Sequence, residues 1–156
     1  MTGPKALRPL LIMLRLGLGG IFIYAAWTKL RDPWSLFAMA IDSYQLLPLW
    51  AVEWTARVLP WLELALGALL VTGRSMRIST ALASLLLVVF FALMVRAYLK
   101  GMEISCGCFG PGETLSWKTL LRDGSMLAGS LLLTAVSFRN RTARNVQYEF
   151  QRVEGQ

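Results

Sequence analysis

The two cysteines of the chain, Cys106 and Cys108, flank a single glycine, Gly107. A Cys-x-Cys pair closes on itself only if the backbone turns tightly enough to bring the two Cα atoms within about 7 Å, and glycine is the residue least strained by such a turn. Because so small a ring leaves little room for ideal torsions, the disulfide should be strained, and strained, exposed disulfides are the labile or catalytic ones. The spacing therefore predicts thiol-disulfide exchange.

Two other uses of the cysteine pair stay open. A static disulfide would staple the loop, and a two-thiolate metal site would need two further ligands, which the chain cannot draw from histidine because it has none. The lack of histidine also excludes Ser-His and Cys-His nucleophile pairs and His-ligated haem. We therefore expect no metal.

The composition indicates a membrane protein, since 56% of the 156 residues are hydrophobic and the mean hydropathy is positive. A net charge of +7 could suggest nucleic-acid binding, but nucleic-acid binders concentrate lysine and arginine on one face of a soluble fold, whereas here these residues lie between apolar runs. The partner that composition predicts is the lipid bilayer, and we expect no nucleic acid.

Four apolar runs of spanning length cover about residues 10–28, 52–72, 78–99 and 117–138. After the first run, Asp32-Pro33 is a helix-start signal, followed by apolar residues at helical spacing that favour a short helix in the membrane interface. The sequence thus predicts one domain over residues 1–156, an all-α membrane four-helix bundle with a short external interfacial helix.

The arginines and lysines predict the orientation of this bundle. They concentrate as Lys5 and Arg8 before the first span, Arg74 and Arg77 between the second and third, and Arg139, Arg141 and Arg144 after the fourth. By the positive-inside rule both termini are cytoplasmic, residues 139–156 form a basic cytoplasmic tail, and the cysteine loop is external. In a bacterium this is the cytoplasmic (inner) membrane with the loop on the side where disulfides persist.

Charged residues inside spans are expensive and need an explanation. Helical rise places Lys29, Glu63, Arg96 and Asp123 in the outer half of the bundle, beneath the cysteines. They could be buried ion pairs that fix the register of the helices. Alternatively, Arg96 or Lys29 favours the thiolate of one cysteine, and Glu63 or Asp123 moves protons during thiol oxidation.

The surroundings of the two cysteines differ. Cys106 follows Glu103 and Ser105, which favour water, whereas Cys108 precedes Phe109, which should dip into the apolar layer. We expect Cys106 to form the mixed disulfide with an external protein and Cys108 to resolve it.

The six tryptophans are interpreted mainly as interface anchors, although Trp54 or Trp61 could line a pocket for a flat ligand. No flavin or haem motif specifies the electron acceptor. A quinone held among the helices is considered because it is the acceptor dissolved in the bilayer.

The chain resembles the MauE branch of the DoxX-like membrane proteins over about residues 10–138. The matching positions are Arg15 with its following glycines, Lys29, Asp32, Tyr44, Leu47-Pro48, Leu59-Pro60, Glu63, Gly67, the Cys106-Gly107-Cys108-Phe109-Gly110 loop and Asp123. The resemblance implies a four-helix membrane bundle and extracytoplasmic thiol-disulfide chemistry with a thioredoxin-like partner in the methylamine system.

Two functions follow from the residues and the resemblance. The first is a membrane thiol-disulfide oxidoreductase in which Cys106 and Cys108 cycle. The alternative is a non-catalytic membrane subunit or assembly factor of a larger complex, whose disulfide is structural and whose basic tail docks that complex.

Overall fold

A computed structural model describes the backbone of residues 7–102 and 114–154, and the side chains of residues 9–102 and 114–139. Cys106, Cys108 and their neighbours lie outside the described residues, as do the side chains of the tail after Arg139. The predictions made for these positions stay predictions.

Five α-helices make up the described fold. They are α1 (Leu7–Arg31), α2 (Trp34–Asp42), α3 (Leu49–Thr72), α4 (Met76–Leu99) and α5 (Trp117–Glu154). Of the four long helices, α1 packs on α3 and α5, and α4 packs on the same two, so the four close into a bundle. The predicted all-α fold is confirmed.

Three of the helices in the described part of the chain are long and apolar enough to cross a membrane: α1 from Pro9, α3 and α4. The fourth predicted span, residues 117–138, lies in α5. Lys118, Arg122 and Asp123 occupy its first two turns, which lowers its hydropathy below that of the others. The protein is therefore an all-α membrane protein, and a fourth crossing by α5 stays a prediction.

The short helix α2 lies where α1 ends and α3 begins. Pro33 precedes its first turn with extended backbone, as expected for a residue that starts a helix without donating a hydrogen bond. Phe37 and Ala40 are buried against Ala56 and Leu59 of α3. The predicted short helix is present and packs on the bundle through one apolar face, and its position in the membrane interface stays a prediction.

Close backbone contact joins α1 to α3. A Cβ atom added at Gly67 would stand 2.7 Å from Ile23 Cγ1 and 2.9 Å from the carbonyl oxygen of Gly19, and one added at Gly19 would stand 2.7 Å from Val71 Cγ2. Small residues allow such an approach between membrane helices, which associate mainly through packing. The two glycines thus set the spacing of this helix pair.

Hydroxyl groups join α4 to α5. Ser84 Oγ donates to Ser130 Oγ at 3.1 Å and lies 2.9 Å from Thr134 Oγ1, while Thr80 Oγ1 and Ser137 Oγ are 3.3 Å apart. Hydrogen bonds of this kind between membrane helices contribute about 0.6 kcal/mol each on average. They fix the rotation of α5 against α4.

The helix α5 continues to Glu154, well past the end of its apolar run at Phe138. The predicted tail over residues 139–156 is therefore helical in backbone as far as Glu154. The residues after Phe138 are mainly polar, but none of them before Gly155 is a proline or a glycine that would stop the helix.

Candidate functional site

A buried ion pair joins α1 to α3. Lys29 Nζ lies 2.7 Å from both carboxylate oxygens of Glu63, and the two side chains are 2% and 7% exposed. In antiparallel helices the side chains lean toward opposite ends of the bundle, because each Cα–Cβ bond tilts toward its own N-terminus. Lys29 therefore leans inward from the end of α1, and Glu63 leans outward from the middle of α3 to meet it.

The helix α2 encloses this ion pair. Lys29 Nζ lies 5.1 Å from the centroid of the Phe37 ring, within the range of a cation–π contact. The ring thus covers a cation that already has its carboxylate partner. Sequence spacing predicted an α2 helix with Phe37 on its apolar face, but nothing in the sequence indicated that this ring would face Lys29.

Asp123 brings a second buried carboxylate to the same region. Its Oδ1 accepts a hydrogen bond from Arg122 Nε at 3.0 Å, whereas Oδ2 is buried and has no hydrogen-bond partner among the described residues. Leaving a buried polar atom unpaired costs about 1–3 kcal/mol or more, so such an atom in a native fold invites a functional explanation.

Lys29, Glu63 and Asp123 line one small cavity, which we name the loop-end cavity. Its volume is about 50 Å³, and its other walls are apolar residues of α1, α4 and α5. A site that holds one water needs about 10–15 Å³, so this space admits on the order of three or four waters beside three charged groups. The arrangement places two carboxylates and one ammonium group around a single small space.

The quinone considered above does not fit the loop-end cavity. Its volume of about 50 Å³ is well below the roughly 150 Å³ of an apolar cavity that admits benzene. Trp54 and Trp61, considered as walls of a pocket for a flat ligand, are 68% and 62% exposed and do not line the loop-end cavity. The described cavity therefore gives no place to a quinone ring.

The cavity lies toward the end of the bundle from which the cysteine segment leaves. The helix α4 ends at Leu99 and α5 begins at Trp117, so the segment that carries Cys106 and Cys108 connects the two at the end where α1 terminates. Of the predicted site residues, Lys29, Glu63 and Asp123 are brought together, and the cysteines fall outside the described residues.

Arg96 does not join the other three charged residues. It is exposed, whereas Met94 and Ala97 on the same helix are buried. Successive residues of a helix are rotated by about 100°, so a residue between two inward positions can point away from the core. Arg96 therefore shares the predicted half of the bundle with the other three residues but does not line the loop-end cavity, and its suggested effect on a cysteine stays a prediction.

Comparison with known proteins identifies the family. The family model described as "Methylamine utilisation protein MauE" matches residues 7–136. The chain is 34% identical to a methylamine utilization protein MauE of Paracoccus denitrificans over 127 residues, which cover 80% of this chain and 64% of the relative. It is 33% identical to the protein of the same name from Methylorubrum extorquens over 105 residues, 65% of this chain and 56% of the relative.

The chain spans about three fifths of the length of these curated relatives. No solved structure matches it. The family match nevertheless covers every residue of the loop-end cavity and both cysteines. This membrane protein belongs to the MauE family.

Proposed function

We propose that this protein is a membrane-embedded thiol-disulfide redox protein of methylamine utilisation. In its reaction the thiols of Cys106 and Cys108 are oxidised to a disulfide, and the two electrons and two protons reduce the disulfide of an extracytoplasmic thioredoxin-like protein; the reverse direction balances equally. The names of the two relatives support the pathway. The spacing of the cysteines supports the chemistry.

The observation that carries the proposal is the unpaired Oδ2 of Asp123 in a cavity that also holds Lys29 and Glu63. Thiol oxidation releases protons and disulfide reduction takes them up, so a carboxylate near the cysteines can act as acid or base. Asp123 lies two turns into α5, directly after the cysteine segment in the chain. In this role Lys29 pairs with Glu63 and Asp123 exchanges the proton.

Aromatic and basic residues support an external loop. Five of the six tryptophans lie at the end of the bundle where the cysteine segment leaves, in α2, near the end of α1 and near the starts of α3 and α5. Arg74 and Arg77 lie at the opposite end, in and after the α3–α4 turn. Tryptophan is enriched at the membrane interface, and short basic loops stay on the cytoplasmic side. We therefore place the α3–α4 turn on the cytoplasmic side of a bacterial inner membrane.

A redox titration of the cysteine pair tests the proposal. The purified protein is equilibrated in glutathione or dithiothreitol buffers and its thiols are counted by alkylation. We expect a midpoint between about −120 and −270 mV, the range of known thiol oxidants and reductants. A midpoint below roughly −300 mV would indicate a resistant structural bond and favour the non-catalytic subunit or assembly factor.

Trapping tests which cysteine attacks. Cys108→Ser should accumulate a mixed disulfide through Cys106, whereas Cys106→Ser, the matched control, should accumulate little. Trapping by Cys106→Ser alone would reverse the two roles. If neither variant trapped a partner in cells where the wild type is active, the exchange reaction itself would be refuted.

A further inference from the structure

A second cavity opens at the other end of the bundle, beside the turn between α3 and α4. We name it the turn-end cavity; α1, α4, α5 and that turn line it, and its volume is about 910 Å³. Binding sites for small ligands range over roughly 300–1,000 Å³. The turn-end cavity is thus large enough for a ligand, unlike the loop-end cavity, and it takes no part in the proposed exchange reaction.

Arg15 supplies a cation to the turn-end cavity. Its Nε atom is buried and has no hydrogen-bond partner among the described residues. The guanidinium group packs on Gly73, where an added Cβ atom would stand 2.6 Å from Nη1. Gly73 ends α3 in the left-handed conformation with φ +73°, so a glycine there both permits the turn and leaves room for Arg15.

The start of α4 supplies a second, independent source of positive potential. Ser75 precedes the helix with φ 48° and makes no side-chain cap, although serine usually caps a helix N-terminus. The first backbone N–H groups of α4 therefore have no acceptor from a capping side chain, and such groups attract anions. Ser75, Met76 and Arg77 all line the turn-end cavity.

The remaining walls of the turn-end cavity are mainly apolar. They include Leu11, Ile12, Leu82, Leu133 and Val136. An arginine and a helix N-terminus at one end of an apolar groove match a phosphate with attached hydrocarbon better than a free anion. Basic side chains near the ends of membrane helices also lie at the depth of lipid headgroups.

We propose that the turn-end cavity binds an anionic phospholipid. The lipid phosphate accepts hydrogen bonds from Arg15 and from the first N–H groups of α4, and an acyl chain lies against the apolar walls. The lipid would join α1 to α4 and α5 at the end of the bundle that lacks the Lys29–Glu63 pair. This proposal is independent of the redox function.

Lipid titration of the full chain in detergent tests the proposal, with native mass spectrometry counting bound lipid. We expect dioleoylphosphatidylglycerol to bind at least about tenfold more tightly than dioleoylphosphatidylcholine, and Arg15→Gln to lower its affinity about tenfold, as expected for loss of a charge-assisted hydrogen bond. Arg74→Gln is the matched control. Arg74 is an exposed arginine of the same turn that does not line the cavity, so its loss should change the affinity less than twofold.

A cavity-filling variant keeps the test decisive if Arg15→Gln fails to fold. Ala81 lines the turn-end cavity, and Ala81→Phe should displace the lipid while all arginines remain. Equal binding of the two lipids would overturn the proposal, as would equal losses in Arg15→Gln and Arg74→Gln. Inorganic phosphate that displaces the lipid completely at a similar concentration would show a simple anion site and would also overturn it.

Discussion

The two ends of the bundle handle buried charge in opposite ways. At the loop end, Lys29 and Glu63 neutralise each other beside a cavity of about 50 Å³. At the turn end, Arg15 has an unpaired Nε atom beside a cavity of about 910 Å³. A small site whose cation is paired suits proton chemistry, whereas a large site with an unpaired cation suits a ligand that brings its own negative charge. The comparison assigns the proposed proton chemistry to the loop end of the bundle and the proposed lipid binding to the turn end.

Removing one cation from each end should give the largest contrast. Lys29→Met leaves the Glu63 carboxylate buried without its partner, and breaking a buried pair in this way destabilises by about 3–5 kcal/mol. Arg15→Gln removes a cation that has no anionic partner within the described residues, so we expect less than about 1 kcal/mol. Unfolding of the purified proteins in detergent measures both. Equal destabilisation would show that the two ends do not differ as described.

Neutralising Asp123 should impair exchange more than stability. Asp123→Asn keeps the shape of the side chain but removes its acid-base capacity, and a positioned general acid or base contributes about 10²-fold or more to a rate. We expect the oxidation of reduced protein by glutathione disulfide, followed by gel shift, to slow by about that factor. Asp32→Asn is the control, since Asp32 pairs loosely with Arg31 at 3.9 Å and does not line the cavity. Unchanged oxidation in Asp123→Asn would remove the loop-end cavity from the reaction.

The glycine contact that spans the region between the two ends gives a third test. Gly67→Ala places a methyl group 2.7 Å from Ile23 and 2.9 Å from the Gly19 carbonyl, and overpacking of this kind destabilises by about 1–3 kcal/mol. Gly20→Ala on the same α1 helix as Gly19 meets nothing within 4 Å and should be neutral or slightly stabilising. The measurement is the melting temperature of each variant, which should be lower for Gly67→Ala than for Gly20→Ala. Similar melting temperatures would mean that α1 and α3 do not pack this closely.

The smallest effect is expected between α4 and α5. Ser84→Ala removes hydroxyl contacts to Ser130 and Thr134, and each such bond between membrane helices contributes about 0.6 kcal/mol. Ser125→Ala removes only a bond to the carbonyl of Arg122 on its own helix and serves as the control. A loss above about 3 kcal/mol for Ser84→Ala would exceed what these hydrogen bonds can contribute.

The sequence was sufficient to predict where the helices lie along the chain, but not which face each helix turns toward its neighbours. Apolar runs and the Asp32-Pro33 signal predicted α1 to α4 within a few residues, because hydropathy and proline act locally. The end of α5 was missed, since loss of apolar character does not stop a helix. Lys29, Glu63 and Asp123 were placed at the correct depth by counting residues.

The ion-pair partner of Lys29 could be identified only from the packing of the helices. Glu63 and Asp123 were equally good candidates to pair with Lys29, and only the contact of α1 with α3 selected Glu63. Arg96 lies at the predicted depth but is exposed, because its helix presents Met94 and Ala97 to the interior instead. The turn-end cavity also depends on helix positions, which the presence of Arg15 in an apolar run does not reveal.

The helices pack as two pairs, α1 with α3 and α4 with α5, and the contact between the pairs, which we call the seam, is smaller than the contact within each pair. Backbone contact at Gly19 and Gly67 and the Lys29–Glu63 bridge lock α1 to α3, while the hydroxyl bonds lock α4 to α5. Asp123 belongs to the second pair and the lysine to the first, and the loop-end cavity lies on the seam. Both anchors of the cysteine segment, Leu99 and Trp117, also belong to the second pair. The distance from Asp123 to Lys29 therefore depends on how the two pairs are docked, whereas the distance from Lys29 to Glu63 is set within one pair.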